Sequence, residues 1–313
     1  MRVAALAGGV GGAKQAYGLA RLLSPDALSV IVNTGDDVEL FGLSISPDLD
    51  TVCYTLAGLA NEETGWGQRD ETWQAFSAVE RLGGPAWFHL GDRDLGTHLE
   101  RTRRLANGEP LSAITRDFCR AWGVRHPVFP MTDQAVRTRV MTVELGELSF
   151  QSYFVEQQCR PRVTGFRFEG VEASRPAPGV LEALGQADCI VVCPSNPWVS
   201  IDPILAIPGI RQAVAAKPVV AVSPIIGGKT VKGPAAKMYA ELGIEPSASA
   251  VARHYRPWLT GFILDQVDNG LVNEIASWGI ITKATDTLMT SLDQRERLAR
   301  EVLAFCEIIA ERN

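Results

Sequence analysis

The 313-residue sequence has no apolar run approaching the eighteen or more residues needed to span a bilayer, which excludes a transmembrane helix. It has no block of five or more basic residues either. With a formal net charge of −6, that argues against non-specific nucleic-acid binding. The amino terminus reads as a strand with one Arg and no cleavage pattern, so a cytoplasmic location is expected. The six cysteines form no C-x-x-C pair, and reduced, mostly buried thiols are expected. Cys189 and Cys193 share an apolar strand, but a zinc site would need more ligands nearby. The absence of G-x-S-x-G, H-E-x-x-H and a catalytic-cysteine motif removes esterase and zinc-protease readings. Repeats and low-complexity segments are also missing.

What is present begins with a strand–turn–helix. Apolar Val3–Ala7 has the length and type of a buried parallel strand. Gly8-Gly9-Val10-Gly11-Gly12 ends it, and Ala13–Leu23 continues with helical spacing. Leu28–Val32 is a second strand of the same type, which makes a β-α-β unit and implies a parallel sheet. Asn33-Thr-Gly35-Asp36-Asp37 follows directly, and Ser46-Pro47-Asp48-Leu49-Asp50 precedes a helix over 51–60. Further helices are expected over 71–82, 99–106 and 112–122, the last with Ser112 as N-cap. Between 136 and 168 the pattern changes to alternation, predicting antiparallel strands over 138–143, 147–155 and 163–168. Core-type strands resume at 189–193, 218–222, 262–265 and 279–282, and a C-terminal helix covers 292–311.

The expected fold is therefore α/β: a Rossmann-like, mostly parallel sheet flanked by helices, with a mixed helical and antiparallel-strand insertion. The chain reads as one domain, with a core of about 1–70 and 185–313 and an insertion or cap of about 71–184. No linker rich in Pro, Gly or Ser isolates that insertion.

Four glycines in five residues let a backbone approach an anion, and the following helix N-terminus adds partial positive charge. The run is neither a Walker A loop nor a dinucleotide fingerprint, because Lys14 stands where the third glycine of the fingerprint would be. Asp36 and Asp37 lie just past a strand's C-terminal end, where ligands bind in open α/β sheets. With Asp48 and Asp50 they could bind Mg(2+) through hard oxygens. The bland alternative for Asp48 or Asp50 is a helix N-cap. Gly91-Asp92-Arg93-Asp94 with His98 reads as an Arg–Asp bridge pinning a loop, or as Arg93 or His89 meeting a phosphate or heterocycle. Arg101–Arg104 reads as a short charged helix face. Pro194-Ser195-Asn196-Pro197 and Ser223-Pro224-Ile-Ile-Gly227-Gly228-Lys229 each follow a core strand, so both belong to the same sheet edge. Trp66, Trp73 and Trp87 could stack on a planar substrate or belong to the core.

In this order, the Gly8–Lys14 turn, Asn33–Asp37, Ser46-Pro-Asp-Leu-Asp-Thr-Val52, Leu90-Gly-Asp-Arg-Asp-Leu95, Pro194–Pro197 and Ser223–Gly227 resemble the 2-phospho-L-lactate transferase family of coenzyme F(420) biosynthesis. Phe129-Pro-Met-Thr-Asp133 and Asp286-Thr-Leu-Met-Thr290 extend the likeness over nearly the whole chain. The resemblance implies an Mg(2+)-dependent transfer from a guanosine diphospho-activated three-carbon acid to the terminal ribityl hydroxyl of the deazaflavin Fo, with GMP leaving. It implies catalytic Asp50 and Asp36, metal ligands Asp36, Asp37 and Asp50, and Fo contacts from Asp50, Asp48, His89 and Arg93. Nucleotide and phosphate contacts fall on Gly8, Gly9, Gly11, Gly12, Lys14, Ser195, Asn196, Ser223 and Gly227. Small-molecule substrates are the expected partners, with no nucleic acid and no membrane. The apolar C-terminal helix leaves a homodimer possible. The alternative is a non-catalytic sugar-nucleotide or dinucleotide-binding regulator of the gluconeogenesis-factor type, which shares the glycine turn but lacks the S-P-D-L-D-T pattern.

Overall fold

In the computed structural model, residues 1–311 are described. The strands are β1 (Val3–Ala7), β2 (Leu28–Val32), β3 (Val38–Leu40), β4 (Leu43–Ile45), β5 (Val128–Pro130), β6 (Arg137–Thr142) and β7 (Gly146–Ser149). They continue with β8 (Val163–Glu169), β9 (Cys189–Val192), β10 (Val219–Val222), β11 (Ile225–Ile226), β12 (Lys229–Thr230), β13 (Gly261–Asp265) and β14 (Ile281–Thr285). Seven of them form the central sheet, in the order β14-β13-β10-β9-β1-β2-β5, and every pairing in it is parallel. β1 and β9 are buried along their whole length, which is why Val-Ala-Ala-Leu-Ala and Cys-Ile-Val-Val read as unbroken apolar runs.

Helix α1 (Gly9–Leu22) begins inside the glycine run, so the expected turn is the helix's own first turn. It packs beside the C-terminal helix Leu292–Ala310 so closely that a side chain on Gly18 would strike the backbone carbonyl of Arg295. Leu298, Ala299, Val302, Phe305, Cys306 and Ile309 of that helix lie in the core under β1, β10 and β13. These residues of the C-terminal helix pack within the chain. A second apolar layer, including Ile190, Val192, Leu205, Val251 and Phe262, covers the opposite sheet face.

The middle of the chain contributes helices α2 (Pro47–Ala57), α3 (Gln74–Arg81), α4 (Asp92–Ala106) and α5 (Leu111–Ala121). Asp92-Arg93-Asp94, expected in a loop, forms the first turn of α4, with its acids favourably at the positive helix end. Ser112 is not a cap. Pro110 occupies that position, and the Ser112 amide and hydroxyl both donate to Asp133. The antiparallel strands form a three-stranded sheet, β7-β6-β8, while residues 152–156 adopt a π-helical turn where strand was expected. From within the stretch read as an insertion, β5 joins the edge of the central sheet beside β2.

This topology fixes where a ligand can bind. The chain leaves β1 towards β2 and β5, then returns through β9 on β1's other side. The strand order reverses at β1/β9, and the crevice beyond their C-terminal ends is where doubly wound sheets bind ligands. Among the described residues, no helix is long and apolar enough to cross a membrane.

Candidate active site

Asn33, fully buried at the end of β2, ties the crevice together. Its side-chain amide donates to Asp48 Oδ2 (2.9 Å), Asp36 Oδ1 (3.3 Å) and the Val199 carbonyl (3.1 Å). Its carbonyl oxygen accepts from the Gly35 amide at 2.8 Å. Asp48, in the first turn of α2, accepts at Oδ1 from the Gly9 amide (2.7 Å) and at Oδ2 from the Ser200 hydroxyl (3.3 Å). Asp48 is therefore not the cap of its own helix; it caps α1, occupying one of the amides expected to hold phosphate. Asp36 accepts from the Asp48 amide (3.2 Å) and from Gln151 Nε2 (3.3 Å), the latter reaching in from the middle segment. Asp37 accepts from the Ser46 hydroxyl at 3.0 Å, while its other oxygen, Oδ1, is buried with no partner. A cavity of about 140 Å³ opens alongside, lined by Asp36, Asp37, Arg137, Thr138, Phe150 and Gln151 among others.

Three carboxylates are thus packed together. Burial, reinforced by the charges of Asp48 and Asp37, holds the Asp36 carboxyl well above the ordinary range. Burial pushes Asp37 up to about 7 against the opposing pull of Arg137 and Arg101. Burial also pushes Asp48 up to about 6, although Asn33, the Gly9 amide and Ser200 all favour its charged form. Asp36 and Asp37 line the cavity, and their hard oxygens, with one acceptor orphaned, suit a divalent cation.

Asp50, two residues further along α2, has a different environment. Arg101 of α4 holds both of its oxygens, with Nη1 3.0 Å from Oδ2 and Nη2 on Oδ1. His98 Nδ1 lies 3.7 Å from Asp50, and His98 Nε2 lies 3.4 Å from Asp94. Asp94 also accepts from the Tyr54 hydroxyl at 2.6 Å. Burial raises Asp94, but His98, Tyr54 and Arg101 outweigh it and leave this carboxyl below its ordinary range. Among the described residues, Asp50, Asp94 and His98 are the group whose possible ligand atoms converge. The Arg101 guanidinium already fills the place of a cation there. Asp36, Asp37 and Asp50 do not come together as the metal triad expected from the sequence. Arg101, read as part of a short charged helix face, is 2% exposed. The spacing Asp94, His98, Arg101 places all three on one helix face, and that was the available signal.

The other expected residues are spread around this centre. Ser195 Oγ accepts from the Gly8 amide (3.1 Å) and donates to the Gly8 carbonyl (2.8 Å), locking β9's loop to β1's. A side chain on Gly12 would lie 2.6 Å from Ser195 Oγ and 3.3 Å from Ala7 Cα, so this glycine serves a protein–protein approach. Gly11 likewise abuts the Pro194 carbonyl. The Asn196 carbonyl oxygen accepts from the Trp198 amide, and Ser223 bonds within its own turn to Ile225. Gly227, at φ +56°, donates its amide to Asp268. Lys14 is half-buried and donates to the Met289 carbonyl at 2.9 Å. His89 and Arg93 are both away from the carboxylates. His89 packs against Trp73 and Phe76, and exposed Arg93 donates to the Arg69 carbonyl near Asp70.

Residues 3–303 match the model of the family described as 2-phospho-L-lactate transferase CofD. The chain is 48% identical to a phosphoenolpyruvate transferase of Streptomyces griseus, over 98% of this chain and 99% of that protein. It is 42% identical to a 2-phospho-L-lactate transferase of Methanopyrus kandleri, over 98% of each. Among solved structures, a UPF0052-family protein of Bacillus halodurans shares the fold, with a TM-score of 0.61 at 14% identity over 96% of this chain and 98% of that one. A β1/β9 crevice holding three carboxylates, in a chain matched to one family model almost end to end, leaves a plain assignment: this protein belongs to the 2-phospho-L-lactate transferase CofD family.

Proposed function

We propose that this transferase moves a phosphorylated three-carbon acid from a guanosine diphospho-activated donor to the terminal ribityl hydroxyl of Fo, releasing GMP. The observation that carries the reading is the meeting of Asp36 and Asp48 on Asn33, with Asp37 beside Asp36, directly against the N-terminus of α1. Phosphoryl-type transfer needs positioning and charge neutralisation more than covalent chemistry by the protein. Three crowded carboxylates with a free oxygen suit that task.

Mg(2+) suits the carboxylates that line the cavity; Asp36 and Asp37 would hold it, and when bound it would neutralise charge on the phosphate oxygens. The base expected at Asp50 is better assigned to Asp48. Arg101 holds both Asp50 oxygens in an ion pair, whereas Asp48 accepts only from neutral amides and a hydroxyl and is pushed up to about 6, near where a general base works. Asp50 and Arg101 then act from behind, fixing the first turn of α2 that presents Asp48. In the loops after β9 and β10, Ser195 is spent on Gly8, Asn196 on Trp198 and Met238, and Ser223 on its own turn, so backbone groups are what these loops offer the guanosine.

The test is turnover of Fo with phospholactyl, phosphoenolpyruvyl and phosphoglyceryl donors, each guanylylated. Asp36→Asn and Asp48→Asn should each lose at least a hundredfold in kcat. Near-wild-type rates in both would overturn the residue roles, and a wild-type protein inactive with all three donors would overturn the function.

A further inference from the structure

Two loops distant in sequence meet over the first turn of α1. Gly65, in the loop 61–67, lies so close to Val10 that a side chain on it would contact both Val10 methyl groups, at 3.1 and 3.2 Å. The same side chain would come within 2.8 Å of Lys232 Nζ. Lys232, in the turn after β12, donates to the Thr64 carbonyl at 3.0 Å. Lys14 stands beneath, and Arg295 of the C-terminal helix, 2% exposed, is close by. Arg295 pairs with Glu62 and lies over the Tyr17 ring, but its Nε is buried with no partner.

The charges do not balance. Lys14, Lys232 and Arg295 are three cations, and Glu62 is the one carboxylate among the groups acting on Lys14. Burial and then the like charges of Arg295 and Lys232 hold the Lys14 ammonium below its ordinary range. Crowded cations beside a helix N-terminus form a place that lacks an anion. The Gly8 and Gly9 amides are taken by Ser195 and Asp48, while no side chain caps Val10 or Gly11 among the described residues. Val10, the first of the two, lies against the Gly65 loop that Lys232 also reaches.

We infer that Lys232, with Lys14 and Arg295 beneath it, is the cationic roof that receives the phosphates of a nucleoside diphosphate at the open end of the α1 cradle. Lys232 exchanges the Thr64 carbonyl for a phosphate oxygen, and Lys14 supplies charge from below. Arg295 positions the pair by holding Glu62 and the loop 61–67. This rests on the donor reading above, since it is the donor's diphosphate that would sit there.

Calorimetric titration with GDP and with guanosine separates the two ideas. Wild type should bind GDP, and Lys232→Ala should bind it about tenfold more weakly, with guanosine binding and the melting temperature unchanged. Lys232→Gln, which keeps a donor for Thr64 but not the charge, should behave like Lys232→Ala. GDP affinity equal to wild type in Lys232→Gln would overturn the roof and leave Lys232 a tether. Equal loss of GDP and guanosine binding in Lys232→Ala would also overturn it, because the damage would then lie in the loop. No GDP binding by wild type would sink both the roof and the donor reading.

Discussion

Asp48 and Asp50 are two residues apart in the first turn of one helix, yet they belong to opposite kinds of charge cluster. Asp48 joins Asp36 on Asn33 with Asp37 beside them, where the partners are neutral amides and hydroxyls and, among the described residues, no cation hydrogen-bonds the carboxylates. Asp50 joins Asp94 and His98 around Arg101, where the cation is built in. A separation of two along a helix turns side chains about 200° apart, so neighbours in sequence enter different surroundings. A carboxylate cluster without a cation costs stability and demands one from outside. A cluster with its own guanidinium is a structural fastener. The first suits chemistry and the second suits holding it in place.

The strongest test of this contrast is to neutralise one acid on each side. Asp36→Asn should abolish most turnover, roughly a thousandfold, while leaving the melting temperature unchanged or higher because repulsion is relieved. A thermal scan beside the kinetic assay reads both, and a melting temperature well below wild type would break the contrast.

Removing the built-in cation should act the other way. Arg101→Met strands the buried Asp50 charge and should cost about 3–5 kcal/mol in denaturant unfolding. Adding Asp50→Asn to that variant should restore a large share of the loss. If the double variant is no more stable than Arg101→Met alone, the pair is not the fastener described.

A smaller effect is expected at the seam between β1 and β9. Gly12→Ala would press a methyl against Ser195 Oγ and Ala7, costing about 1–3 kcal/mol. Unchanged stability would show that the loops are free to separate.

The smallest expected effect is the shift of stability with pH. Asp37 and Asp48 titrate higher in the folded chain than the usual 3.8, so folding holds their protons. Their contribution is fully present below about pH 4 and is lost as pH rises through about 6 and 7. Asp94 titrates lower when folded, so its contribution is present above the usual range and is lost on acidification. Unfolding in chelator should therefore show a decline between about pH 4 and 7 that Asp48→Asn flattens and Mg(2+) reverses. A flat profile in wild type would remove the argument that the Asn33 group lacks a cation.

The sheet, the glycine-rich helix start and the acid loops were legible from the chain. Buried parallel strands must be continuously apolar, and the breaks between them must be small or polar. The strand expected over 147–155 was less so. There the alternation continues past Ser149, but residues 152–156 curl into a π-helical turn that buries Tyr153. The likeness to one transferase family was also readable, because six spaced motifs survive without any coordinates.

What the sequence by itself determined is which residues end at the C-terminal edge of the sheet, since strand periodicity and loop chemistry are local. Only the tertiary structure decided how those residues divide. Asn33, Gln151 and Ser200 gather Asp36 and Asp48, while Arg101, from a helix some fifty residues along, claims Asp50. The physical reason is that a carboxylate's role depends on what shares its burial. In an open α/β fold those partners come from distant segments, which local spacing does not encode.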